Sequence, residues 1–237
     1  MDVSSIKALT FDVFGTVVDW RTTIIAEGEE IGKAKGLTID WARFADTWRA
    51  GYFSSMDLVR SKKLPWTKID TLHRMVLDNL LIEFGIAGLS EAEKYRLNLV
   101  WHRLKPWPDA IPGLNRLRTR YIIATLSNGN MALLTNMAKN AGLPWDCILS
   151  AELAKRYKPD PEAYLMAADL LGLRTDQIMH VAAHKADLKA AHGQGMKTAF
   201  VPRPLEYGPT REVETTPEPW IDLFATDFED LATKLGT

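Results

Sequence analysis

Cysteine is nearly absent. Cys147 stands alone in 237 residues, so no internal disulfide can form. It lies in the apolar run Cys147-Ile148-Leu149, where an inert core thiol is expected. Charge of either sign is not in excess: the net value is -1, which leaves no basic footprint for nucleic acid and no polybasic membrane patch. No apolar run approaches membrane-spanning length. The opening Met1-Asp2-Val3-Ser4-Ser5 has neither the basic region nor the apolar region of a secretory leader. Internal repeats and low-complexity tracts are missing too. A cytoplasmic protein is therefore expected. What remains, 46% hydrophobic and 25% charged residues, suits a globular chain long enough for one large domain or a core with an insert.

The chain is organised around Phe11-Asp12-Val13-Phe14-Gly15-Thr16, directly after the largely apolar run from Ile6. A β-branched and aromatic run that ends at an Asp reads as a buried parallel strand delivering a carboxylate at its C-terminal edge. Ligands of open α/β sheets sit at that edge. Gly15 permits a sharp turn, and Thr16 can hold a carboxylate or substrate oxygen. Residues 20 to 105 then read as four helices: Thr22 to Lys35, a segment opened by Asp40, Thr67 to Phe84, and one begun by the capping box Ser90-Glu91-Ala92-Glu93. Gly28 and Gly32 weaken the first of these. From Pro106 onward strands and helices alternate. A short helix is expected at Leu114 to Arg118 and strands at Tyr121 to Leu126, Cys147 to Leu149, Ile178 to Ala182 and Thr198 to Val201. A Pro-rich loop from Pro202 to Pro219 precedes an edge strand near Ile221 to Phe224 and a last helix, Phe228 to Leu235. Such alternation predicts right-handed βαβ units on a doubly wound parallel sheet. The expected division is a core of residues 1–19 and 106–237 with a helical cap of residues 20–105.

Three later segments carry chemistry. Tyr121 to Asn130 is a strand running into Ser127-Asn128-Gly129 and then a helix, a ready anion site, although Ser and Asn are also common turn residues. Lys158-Pro159-Asp160-Pro161 places a cation before a helix, and Val181-Ala182-Ala183-His184-Lys185-Ala186-Asp187 runs from a strand into another.

In order and spacing these four segments resemble the motifs of the haloacid dehalogenase superfamily, over nearly the whole chain. The resemblance makes Asp12 the nucleophile. Most members are magnesium-dependent phosphatases with a second Asp two residues later, where this chain has Phe14, and an acid four residues before the final Asp, where it has Ala183. Phenyl cannot move a proton but makes an apolar wall, and magnesium prefers several oxygen ligands. The pattern therefore resembles the 2-haloacid dehalogenase family, which implies no metal and no cofactor. Carried over from that family, Lys158 neutralises Asp12, Ser127 holds the substrate carboxylate, Asn128 lies near the leaving halide, and the Tyr164 hydroxyl supports the site. Arg49, in Thr47-Trp48-Arg49, matches a cap arginine for carboxylate and halide, and on a helix Tyr52 and Phe53 would surround its guanidinium. Arg21 and Arg203 could also reach the mouth and receive no role.

The resemblance implies hydrolysis of a short 2-haloalkanoate to the 2-hydroxy acid through an ester on Asp12. Water oriented by Asp187 would hydrolyse that ester, with His184 accepting its proton; the family's usual residue at His184 is Asn. Two alternatives stay open: a magnesium-dependent phosphatase, and a non-catalytic protein that binds small acids. The expected partner is a small molecule, without nucleic acid or membrane, and a homodimer is compatible with the reading.

Overall fold

The structure, a computed structural model, describes residues 4–237. Met1-Asp2-Val3, read above for a leader, lies outside the described residues. The chain begins with β1 (Ala8–Phe11), β2 (Val18–Asp19), α1 (Trp20–Lys35), α2 (Trp41–Arg60), α3 (Ile69–Glu83) and α4 (Glu91–Asn98). A 3-10 turn, Leu99–Arg103, leads to β3 (Lys105–Pro106). Then come α5 (Ala110–Leu117), β4 (Ile122–Ser127), α6 (Met131–Ala141), β5 (Cys147–Ser150), α7 (Ala151–Ala154) and α8 (Pro161–Leu171). The chain closes with β6 (Ile178–Ala182), α9 (Lys185–Gly193), β7 (Lys197–Phe200), β8 (Leu223–Phe224) and α10 (Phe228–Lys234).

Six parallel strands form one sheet in the order β5-β4-β1-β6-β7-β8. After β1 the chain builds outward through β4 and β5, then returns to β1's other side with β6. This is a doubly wound α/β fold whose order reverses at β1, so a crevice opens beyond the C-terminal ends of β1, β4 and β6. All four residues of β1 are buried, as a central parallel strand covered on both faces requires. Asp12 follows directly, its N–H bonded to the Val181 carbonyl at 3.0 Å.

The helices from α1 to α4 hang between β2 and β3, which pair antiparallel and bring entry and exit of that segment together. Their ends follow from local chemistry. Asp19 caps α1 by accepting from Thr22 N–H, Asp40 caps α2 from Arg43 N–H, and Ser90 and Glu93 form the reciprocal box on α4. Gly36 ends α1 in the left-handed conformation. Gly28 has a packing reason: a Cβ there would lie 2.3 Å from the Trp41 ring. Its bare surface lets α1 and α2 meet closely.

Differences from the sequence reading are local. β2 and β3 are too short to leave a periodic signal, and α7 is a single turn after β5. α5 starts at Ala110, not Leu114, because Pro112 falls in the first turn, where no backbone donor is needed. β8 spans only Leu223–Phe224. Cys147 is half-buried, not in the core, and burial and Asp146 raise its thiol pKa. Among the described residues no helix is long and apolar enough to cross a membrane.

Arg203 sets the loop after β7 against the first motif. Its Nε donates to the Thr16 carbonyl at 2.8 Å, and its two terminal nitrogens donate to Asp109 at 2.7 and 2.9 Å. Arg21 pairs instead with Asp46 on α2 at 2.7 Å and does not line the crevice.

Candidate active site

Asp12 is 7% exposed and its carboxylate accepts three side-chain hydrogen bonds. Thr16 Oγ1 donates to Oδ2 at 2.7 Å, His184 Nδ1 reaches Oδ2 at 3.1 Å, and Lys158 Nζ donates to Oδ1 at 3.0 Å. Burial alone would raise the Asp12 pKa, but Lys158 and His184 hold it far below the ordinary range, so the group is an anion. With two donors on Oδ2 and one on Oδ1, the lone pair left free is on Oδ1.

Lys158 also donates to Asp187 Oδ2 at 2.5 Å. Despite burial, the two carboxylates raise its pKa, so it stays an ammonium. Its main-chain N–H donates to Asn128 Oδ1 at 2.7 Å, which ties the end of β4 to the loop before α8. The peptide between Lys158 and Pro159 is cis. Asp187, in the first turn of α9, accepts from Tyr164 OH at 2.6 Å on Oδ1 and meets His180 Nε2 at 3.0 Å on Oδ2. Burial opposes its ionisation, but Lys158 and His180 bring its pKa down to about 2.

His184 lies between two carboxylates, Asp12 through Nδ1 and Glu206 through Nε2 at 2.8 Å. Burial disfavours its charge, but Glu206 and Asp12 outweigh that and push its pKa up to about 10. Glu206 is 3% exposed, also accepts from Trp20 Nε1 at 3.1 Å, and lies 3.9 Å from Arg49. Two buried carboxylates, Asp12 and Glu206, and the partly exposed Asp187 thus face three cations, Lys158, Arg49 and His184.

Arg49, buried in α2, lies over the rings of Tyr52 at 4.6 Å and Phe53 at 5.2 Å. Among the described residues its Nε and one terminal nitrogen have no hydrogen-bond partner. Buried donors of that kind are costly to leave unmade and would be met by an arriving anion. Phe14 lies edge-on to Tyr52 at 6.1 Å and Trp101 at 5.7 Å, closing the apolar side. His73 stacks on Trp101 behind it, and burial brings its pKa down to about 3, which keeps it neutral.

These groups enclose a cavity of about 300 Å³, lined by Asp12, Phe14, Arg49, Tyr52, Phe53, Asn128, Lys158, Pro159, Tyr164, His184, Ala186 and Asp187. A family model described as haloacid dehalogenase-like hydrolase matches residues 6–195. The chain belongs to that family. It is similar to a solved defluorinating L-2-haloacid dehalogenase, with 46% identity and a TM-score of 0.95, over 98% of this chain and 96% of that one. A second solved L-2-haloacid dehalogenase matches at 46% identity and TM-score 0.94, covering 97% of this chain and 98% of the other. Among curated relatives, the (S)-2-haloacid dehalogenase 4A of Burkholderia cepacia is 29% identical over 228 residues, 92% of this chain and 95% of its own.

Within this haloacid dehalogenase-like chain, the residues singled out in the sequence fall into three groups. Asp12, Phe14, Arg49, Phe53, Asn128, Lys158, Tyr164, His184 and Asp187 come together around the cavity. Thr16 lies beneath it, bonded to Asp12 and accepting from Ala183 N–H at 2.9 Å. Ser127 is fully buried and absent from the lining; its hydroxyl oxygen accepts from Gly129 N–H at 3.2 Å and shapes the turn instead. His184, expected to accept a proton from water, has both ring nitrogens engaged. Both ring nitrogens face carboxylate oxygens, an arrangement that favours the imidazolium, with both nitrogens donating, over a proton acceptor. Sequence reasoning missed Glu206 and His180. Glu206 sits in a Pro-rich loop with no motif around it. His180 gave one signal, an imidazole inside a buried strand, where a partner is needed; its Nδ1 meets Thr10 Oγ1 at 3.0 Å.

Proposed function

We propose that the chain hydrolyses short 2-haloalkanoic acids, haloacetates including fluoroacetate and L-2-halopropionate, to the 2-hydroxy acids. The observation that carries this reading is the ionised Asp12 with one free lone pair on Oδ1, facing a small cavity that is apolar at Phe14 and cationic at Arg49. The substrate carboxylate meets the unpaired Arg49 donors, which fixes the halogen-bearing carbon over Oδ1. Oδ1 attacks that carbon from behind, the carbon–halogen bond breaks with its electron pair leaving on the halide, and an aspartyl ester forms. Asn128 and Arg49 border the departing halide. Water oriented by Asp187 then attacks the ester carbon, and the bond to Oδ1 breaks so that Oδ1 departs in the product hydroxyl. The ionised Asp12, with a single donor on Oδ1 and its carboxylate on the cavity wall, supports covalent attack.

The division into a core of residues 1–19 and 106–237 and a helical cap of 20–105 belongs to this reading, as do a cytoplasmic location and a homodimer. The solved relatives include one named for defluorination and one not so named at equal identity, so the halogen is decided by assay. Halide release is measured from fluoro-, chloro- and bromoacetate and from both enantiomers of 2-chloropropionate. Release from the acetates and from the L isomer is expected. Phosphate release from phosphomonoesters, with no halide from any of the five acids, would overturn the reading.

A further inference from the structure

The two groups that hold Asp12 Oδ2 matter most once the proposed ester exists. Attack through Oδ1 leaves Oδ2 as the ester carbonyl oxygen, the atom on which negative charge gathers when water adds to the carboxyl carbon. Thr16 and His184 already stand 2.7 and 3.1 Å from that atom, the spacing an oxyanion site requires. We infer that Thr16 and the imidazolium of His184 form the oxyanion site for ester hydrolysis, and that Glu206 is the positioning residue that keeps His184 charged and aimed at Oδ2. This rests on the covalent reading above and adds residues to its second step.

His184 suits a donor's work and not a base's. Its second nitrogen is engaged by Glu206, which is itself clamped by Trp20 and approached by Arg49. The loop holding Glu206 is fixed through Arg203 to Thr16 and Asp109, so both donors of the site share one rigid frame. A second cavity, of about 320 Å³, is lined by His184 and by residues of the same loop. The charged groups around the ring are Asp12 just after β1, Lys158 beyond it, Arg203, Glu206, Arg211, Glu212 and Glu214 from the loop, Arg49 from α2, and Lys185 and Asp187 from α9. When Asp12 becomes an ester its charge is lost, and Glu206 remains the one carboxylate bonded to the ring.

The protons balance without His184 giving up its own. Water attacks the ester carbon, one of its protons passes to Asp187, and the carbonyl π pair moves onto Oδ2. As the tetrahedral species collapses, the pair returns and the bond to Oδ1 breaks. Lys158 Nζ, 3.0 Å from Oδ1, protonates that departing oxygen and is reprotonated by Asp187 at 2.5 Å. The second water proton is released to solvent as Asp12 ionises again.

The test is rapid-quench mass spectrometry of the Asp12 peptide with bromoacetate and excess enzyme, from pH 6 to 10.5. A donor loses its hydrogen as pH rises, so ester hydrolysis should fall at alkaline pH. In Glu206→Gln that fall should begin at least about one pH unit earlier, since the ring loses its remaining anion. His184→Ala should slow hydrolysis by about 10²–10³-fold while forming the ester at a rate changed far less. His184→Asn, which keeps a neutral donor, should restore part of the loss. Hydrolysis that rises with pH in the wild-type protein would make His184 a base and overturn the inference. So would hydrolysis in His184→Ala at the wild-type rate. Halide release with no Asp12 adduct in any of these proteins would overturn the covalent reading, and this inference with it.

Discussion

At the scale of single residues, the site is governed by what each buried polar atom lacks. Arg49 has donors with nothing to bond, so an anion completes it, and removing the guanidinium removes that interaction. A charge-assisted contact of this kind is worth about 1.5–3 kcal/mol, so Arg49→Ala should lower kcat/KM at least roughly tenfold. Arg21→Ala should do far less, because Arg21 is occupied by Asp46 away from the cavity. Equal effects in steady-state kinetics would count against the placement of Arg49. His184 adds a stability signature. Its folded pKa is raised from 6.5 to about 10, so its contribution is complete below about pH 6.5 and fades as pH rises through about 10. Urea unfolding of the wild-type protein and His184→Asn at pH 6, 8 and 10 should show their stability difference moving steadily against the wild type. A pH-independent difference would mean the imidazole is not held charged. Asp12, Lys158 and Asp187 were legible because each stands at the end of a strand, before a helix or in a helix's first turn, in a recognisable order. Glu206 was not: only the folded loop brings it against His184, 22 positions back in the chain.

At the scale of elements, helices and strands of the core were read to within a few residues, because buried parallel strands and capped helices leave apolar runs and polar punctuation. What escaped was set by tertiary contact. Two-residue strands carry no period, and the length of β8 depends on its pairing with β7. Gly28 shows the same division. Helix propensity favours Ala over Gly by about 1 kcal/mol, so by propensity alone this glycine weakens α1. Packing reverses the sign, since the added methyl would lie 2.3 Å from Trp41, and overpacking costs about 1–3 kcal/mol. Gly28→Ala should therefore lower the thermal midpoint, whereas a raised midpoint would show that α1 and α2 can separate freely. Gly15 is tighter: its φ is +84°, and a Cβ would lie 2.2 Å from Glu206 Oε1. Gly15→Ala should destabilise the fold and also slow turnover by displacing Glu206, an effect that Gly28→Ala should not share.

At the scale of the molecule, the sheet's reversal at β1 gathers carboxylates, cations and aromatic walls from distant parts of the chain. Paired charges let Asp12 and Glu206 stay buried and ionised beside Asp187, with Arg49 left available to an acid. Phe14 and Ala183 stand where related phosphatases keep acids, which predicts chemistry without a metal. Halide release should survive exhaustive chelation and gain nothing from added magnesium; loss in chelator with recovery on magnesium would oppose this. Whether Asp12 bonds covalently to substrate is decided by the fate of one oxygen atom. In a single turnover in oxygen-18 water, with enzyme in excess, the product hydroxyl should carry no label, because its oxygen is Asp12 Oδ1, and the label should appear in the Asp12 carboxylate. Labelled product hydroxyl on the first turnover would mean that water attacks the substrate itself, and would contradict the account.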